Sequence, residues 1–208
     1  MINWLKIEWQ NLASKYCNTT LAEELWTEIE TNYTNKTRHY HNLTHIYNML
    51  LQAETYKTEI KDLDALQFAI WYHDIVYKSS KKDNEEKSAL LAEKRLKSIN
   101  LVLKRIENIK KLIISTKKHE LVIDKNRDNA YLLDIDLSIL GSDWDTYQKY
   151  ISNIRKEYKI YPDFIYKPGR KNVLKHFLDR KTLYFTNSFR GKYEIQAREN
   201  LKKEIELL

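Results

Sequence analysis

Leu63-Asp64-Ala65-Leu66-Gln67-Phe68-Ala69-Ile70-Trp71-Tyr72-His73-Asp74-Ile75-Val76-Tyr77 is the stretch on which the reading of this chain turns. Leu66, Ile70, His73, Asp74 and Tyr77 fall at i, i+4, i+7, i+8 and i+11, which is one face of a helix. The spacing predicts a helix over 63–77 whose buried stripe ends in an imidazole and a carboxylate. An ionised carboxylate on such a stripe is costly unless partnered, and a metal ion shared with the adjacent imidazole is one of few partners that satisfy it. Taken alone, a His-Asp pair has a plainer explanation, with the Asp capping a nearby helix and the His bonding a carbonyl.

Outward from this stretch the same period recurs. Amphipathic helices are expected over 3–16, 20–33, 42–54, 63–77, 84–99, 101–118, 129–140, 143–159, 170–180 and 190–207. Thr20 with Glu23 and Asp83 with Glu86 have capping-box spacing, and Ser142 with Asp145 is a third candidate start. Residues 182–186 read equally as a short strand, and 159–169, which holds both prolines, reads as a long ordered loop. Only three glycines and two prolines occur in 208 residues, so the many turns of an all-β protein are not provided for. The expected fold is all-α, a single compact helical domain of about eight to ten helices.

Composition limits the function classes. The lone Cys17 forms no internal disulfide, and no apolar run approaches the roughly 20 residues that span a bilayer. The first residues lack a signal-peptide layout, so a soluble, cytoplasmic protein without a membrane partner is expected. A net charge of +7 favours anions, yet the 36 basic residues are scattered among 29 acidic ones, so charge alone does not select nucleic acid. Fifteen tyrosines and five tryptophans offer stacking surfaces for bases. Core packing explains most of them more simply: Trp26 keeps helical spacing with Leu25 and Ile29, and Tyr150, Ile154 and Tyr158 recur every four residues.

Further imidazoles and carboxylates accompany His73 and Asp74. If a helix already runs through His41, then His41 and His45 share one side of it; if Asn42 is the N-cap, His41 precedes the helix and His45 lies in its first turn. The second arrangement is preferred, with His45 as the ligand and His41 near the start of a helix, where a phosphate also fits. Leu133, Asp136, Leu137 and Leu140 share an apolar stripe, so Asp136 is expected to be the buried carboxylate and Asp134 its support. Leu112, Thr116 and His119 run at i, i+4 and i+7 and place His119 at the end of another apolar face. Imidazole and carboxylate together suit a borderline divalent ion.

The ordered series H…HD…H…D resembles the HD superfamily of metal-dependent phosphohydrolases. Within it the chain resembles a branch described only as predicted HD-superfamily metal-dependent phosphohydrolases. The resemblance is carried by Arg38-x-Tyr40-His41-x-x-x-His45, Ala69-x-Trp71-x-His73-Asp74-x-Val76-Tyr77, Asn84-Glu85-x-x-Ser88-Ala89 and Thr116-x-x-His119. It continues through Asp134-x-Asp136-Leu137-x-x-Leu140-Gly141, Arg155-x-Glu157-Tyr158, Gly169-Arg170 and Glu194-x-x-Ala197-Arg198-x-Asn200. It thus runs from residue 38 to residue 200, with a metal-site core over about 38–141 and C-terminal helices over 142–208 packing on it.

The resemblance implies an all-helical enzyme in which His45, His73, Asp74 and Asp136 hold a divalent metal ion (Mn, Fe, Co, Ni, Zn or Mg), with Asp74 bridging if a second ion binds. It implies a metal-dependent phosphohydrolase that uses water to cleave a phosphoester or phosphoanhydride of a small phosphorylated substrate of nucleotide type. A homodimer is compatible with a basic all-helical chain that has exposed aromatic turns. His119 then assists a second ion or the phosphate. Arg38, Lys117 and Arg170 are candidate cations for the developing charge, with His41 as a further phosphate contact. Arg170 follows Pro168-Gly169 at an expected helix start, and Glu85 is placed to position or protonate the leaving group. The alternative is a non-catalytic nucleotide- or nucleic-acid-binding protein that retains the metal site.

Overall fold

In the computed structural model, which describes residues 1–123 and 127–208, the quoted stretch forms α4 (Leu63–Tyr72). Ala65, Leu66, Phe68, Ala69, Ile70, Trp71 and Tyr72 are all buried. A helix that is apolar nearly all round has no face to give to water, so its neighbours must enclose it. α3 (Leu43–Thr55), α5 (Asn84–Ser98) and α6 (Leu103–Ser115) do so. α1 (Ile2–Ala13) and α2 (Thr19–Tyr33) pack together. Trp9 of α1 stands edge-on to Trp71 with ring centroids 5.7 Å apart, and its indole N–H donates to the Ala22 carbonyl at 2.8 Å. An edge-to-face pair of this kind contributes roughly 0.5–1.5 kcal/mol beyond the area it buries.

These helices and the first residues of α7 (Arg127–Asp136) form one compact unit, residues 1–132. Residues 133–208 form a second, with the end of α7, a 3-10 turn at Leu137–Gly141, α8 (Trp144–Glu157), α9 (Asp163–Leu178) and α10 (Asn187–Leu207). Within it α10 packs on the 3-10 turn, α8 and α9. Buried Glu204 accepts from the Tyr147 hydroxyl at 2.6 Å and from Arg170 Nε at 2.7 Å, while the Asn200 amide donates to the Leu140 and Ser142 carbonyls, each at 2.8 Å. Every regular element among the described residues is helical, ten α-helices in all, as the periodicity predicts. No helix among them is long and apolar enough to cross a membrane.

Several boundaries differ from expectation for identifiable reasons. Asn18, not Thr20, caps α2 by accepting from Leu21 N–H, and Asp143, not Ser142, caps α8 by accepting from Thr146 N–H. Asp83 precedes α5 as expected but makes no side-chain cap bond. The expected loop over 159–169 is helical from Asp163, so Pro168, Gly169 and Arg170 lie inside α9 and Arg170 is not at a helix start. Arg155 accounts for the early start: its guanidinium donates to the Tyr158 and Tyr161 carbonyls, each at 3.1 Å, and to Asp163 at 2.8 Å. That closes the turn after α8 and leaves Pro162 to lead directly into the next helix.

The segment 182–186 is not a strand. Leu183 and Tyr184 donate their backbone N–H groups to the Glu194 carboxylate, at 3.0 and 3.3 Å. Phe185 and Thr186 donate theirs to the Asp134 carboxylate, both at 2.7 Å. Side-chain acceptors thus satisfy the donors that a neighbouring strand would have taken.

Candidate metal centre

α4 stops at Tyr72, five residues before the end expected from the apolar stripe, and His73 is its C-cap residue. What ends the helix is competition for its backbone groups. Arg38 Nη1 donates to the Asp74 carbonyl at 2.6 Å and Nη2 to the Ile75 carbonyl at 2.7 Å. The N–H of Val76 goes to Ser88 Oγ at 3.1 Å, and the Val76 carbonyl accepts from the same hydroxyl at 3.3 Å. His73 and Asp74 therefore sit on a short turn fixed by side chains of other segments. Both are buried.

His45 approaches from α3. Asn42 caps that helix by accepting from Thr44 N–H at 2.8 Å, so His45 is its third residue, buried and aimed by a helical first turn. His41 precedes the helix, and its ring stacks on Tyr77 with centroids 4.1 Å apart. This is the arrangement in which His45, not His41, faces His73: their Nε2 atoms are 3.2 Å apart.

The His73 ring is chemically constrained. Its Nδ1 lies 2.9 Å from the Ile70 carbonyl oxygen. A carbonyl oxygen only accepts, so Nδ1 carries the proton and the neutral ring presents a bare lone pair at Nε2. That Nε2 faces Asp74 Oδ2 at 3.0 Å as well as His45 Nε2. A carboxylate oxygen also offers only lone pairs, so the contact needs a shared proton or a cation at this point: a second proton on the ring, a proton from Asp74 or His45, or a metal ion. Two nitrogen ligands at about 2.0–2.1 Å from a tetrahedral ion stand about 3.3 Å apart, which matches the two imidazoles. A ligating imidazole that donates its other N–H to a backbone carbonyl is also the usual way such a ring is oriented.

His45, His73 and Asp136 form a group in which each side chain offers one ligand atom and these atoms lie within 4.8 Å of one another. The residues therefore fit a divalent ion in number, type and spacing. The expected burial of the two α7 carboxylates is reversed, Asp134 being fully enclosed and Asp136 only half-buried, while Asp136 remains the one that joins the group. Asp134 is enclosed because it carries the 185–186 backbone, and burial pushes its carboxyl up to about 6 although those two N–H bonds act in the opposite direction.

The remaining sequence-derived candidates are placed as follows. Glu85, in the first turn of α5, is half-buried, and burial first, with the charge of Asp74 adding, raises its carboxyl above the ordinary range. α6 ends at Ser115, so His119 lies in the turn beyond it, half-buried with φ of 50°, and is not one of the group of three. Lys117 pairs with Glu86 at the surface. Arg170 is held by Glu204 and by the Tyr150 hydroxyl, the latter at 3.2 Å. Arg38 is only 8% exposed and its hydrogen bonds go to backbone carbonyls. Ser88 and the backbone role of Arg38 are not apparent from spacing, because both act on main-chain groups that only the folded turn presents. No family model, curated protein or solved structure matches the chain.

Proposed function

We propose that the protein is a metal-dependent phosphohydrolase that cleaves a phosphoester or phosphoanhydride, with a nucleotide-type substrate. The observation that carries the reading is the His73 ring, whose Nδ1 proton is committed to Ile70 while its Nε2 meets His45 Nε2 and Asp74 Oδ2 at 3.2 and 3.0 Å. His45, His73 and Asp136 would hold the ion, and Asp74 supplies a further carboxylate beside them. A divalent ion so held supplies Lewis-acid polarisation of a phosphoryl oxygen and a nucleophilic water at neutral pH.

The chain's own residues serve the remaining needs. Ile70 orients His73, and Asn42 orients His45 through the start of α3. Glu85 is the proposed proton donor to the leaving oxygen, since a half-buried carboxyl near another carboxylate releases its proton less readily to water. His41, Lys117 and His119 are the proposed contacts to the substrate phosphates. Arg38 and Arg170, engaged with partners of their own, are assigned structural work instead.

Elemental analysis of the purified protein, paired with phosphate release from a panel of nucleotides under Mn, Co, Ni or Mg, tests this reading. Stoichiometric metal with turnover is the expected result. Metal without turnover on any substrate would favour a nucleotide-binding protein that retains the site. Folded protein that takes up no metal under any loading condition refutes the assignment.

A further inference from the structure

Arg38 joins the two segments that carry the facing histidines. Its Nη1 donates to the His41 carbonyl at 3.1 Å, just before α3 and four residues from His45, and to the Asp74 carbonyl at 2.6 Å, next to His73. Its Nη2 donates to the Ile75 carbonyl at 2.7 Å. The guanidinium carbon lies 4.8 Å from the centroid of the Tyr33 ring and 5.7 Å from that of Tyr77. Tyr77 in turn stacks on His41, and the Tyr33 hydroxyl donates to the Trp71 carbonyl at 3.1 Å, on the last turn of α4. A single planar cation thus fastens the start of α3 and the end of α4 to each other by their carbonyls, held by two aromatic rings that are themselves tied to those segments.

We propose that Arg38 is the positioning residue of the metal centre, setting the separation of His45 and His73 before any ion arrives. The assignment rests on the metal reading given above. A buried guanidinium is costly unless its donors are matched, and here they meet two carbonyls beyond the end of α4 and one just before α3, none with a helical partner. Lysine does not replace it: an ammonium is a point charge, whereas three carbonyls on two segments need a planar fork. The cation lies behind the ligands, bonded to the backbone of Asp74, so it acts through them and does not touch substrate.

Cobalt(II) titration of Arg38→Ala, followed by calorimetry and by visible absorption, tests the proposal without reference to activity. The expected result is an affinity about 10- to 100-fold below wild type, the usual cost of losing a group that orients ligands, with an altered cobalt spectrum. Millimolar guanidinium ion should restore both in Arg38→Ala. Arg38→Lys should bind cobalt weakly and gain nothing from guanidinium, because its own side chain fills the space; it is also the variant to use if Arg38→Ala does not fold. Wild-type affinity and spectrum in a folded Arg38 variant overturn the positioning role while leaving the metal reading intact. Absence of cobalt binding in the wild-type protein overturns both.

Discussion

His45 and His73 present their Nε2 atoms to each other across 3.2 Å, one ring aimed by the first turn of a helix and the other by the last. Both ends are fixed by side-chain bonds to the backbone, the first by Asn42 and the second by Arg38 and Ser88, which narrows the directions a short side chain can take. The pair is therefore preorganised in a way that two loop histidines are not.

Removal of one ligand should cost metal before it costs structure. Asp136→Ala and His45→Ala are both expected to lower bound metal at least about tenfold, with far-ultraviolet circular dichroism unchanged. Asp136 is only half-buried, so its loss should change the stability of the metal-free protein by less than about 1 kcal/mol. Stoichiometric metal in purified Asp136→Ala would remove it from the ligand set.

Asp134→Ala should behave in the opposite way. It strands the backbone N–H groups of Phe185 and Thr186, which the Asp134 carboxylate now accepts at 2.7 Å each. An unsatisfied buried donor costs about 1–3 kcal/mol, in full for Thr186 and in part for half-buried Phe185, so a loss of roughly 1–4 kcal/mol is expected in urea unfolding. Metal content per folded molecule should remain close to wild type. A variant that loses metal but keeps its stability would exchange the roles of the two carboxylates.

Gly141→Ala probes the packing of α10. A Cβ at this position would lie 2.6 Å from Tyr193 Cβ and 2.7 Å from the Tyr193 carbonyl oxygen, and backbone cannot swing aside as a flexible side chain does. Overpacking of this kind costs about 1–3 kcal/mol, equivalent to a fall in Tm on the order of 5 °C. An unchanged Tm would mean that α10 shifts away from the 3-10 turn freely.

Glu93 gives the protein an acid-sensitive contact. Salt bridges from Lys110 and then Lys97, each at 2.6 Å, hold its carboxyl down at about 2. Because the folded value is depressed, the contribution is present above the ordinary glutamate range and is lost as pH falls toward the folded value. Wild type should therefore lose more of its urea midpoint than Glu93→Gln between about pH 5 and pH 2. High salt should shrink the difference, since the pair lies near the surface. Parallel curves for the two proteins would show that the contact carries no charge-dependent stability.

What the chain discloses before folding, and what it withholds, follows the range of the forces involved. α4 is legible because its apolar residues announce a buried helix, and Asn42 is legible as a cap because an Asx side chain reaches the N–H two residues on. His45 is readable as a candidate because that cap places it in a first turn, and His73 because it extends the apolar face of α4. The end of α4 is not, since the apolar period continues to Tyr77 while the backbone is diverted by Arg38 and Ser88, distant in sequence. The same holds for Asp134 and Asp136. Helical phase separates them by about 200°, but the face that is buried is decided by residues 185 and 186, some fifty positions away.

Residues 182–186 owe their shape to Asp134 and Glu194, not to one another. The length of that segment is consequently as constrained as its buried residues Leu183 and Tyr184 are. Insertion or deletion of a single residue would put one pair of amides out of register with its carboxylate. Spacing along the chain is thus read out by two acids that lie outside the segment, as a ruler is read by its end marks.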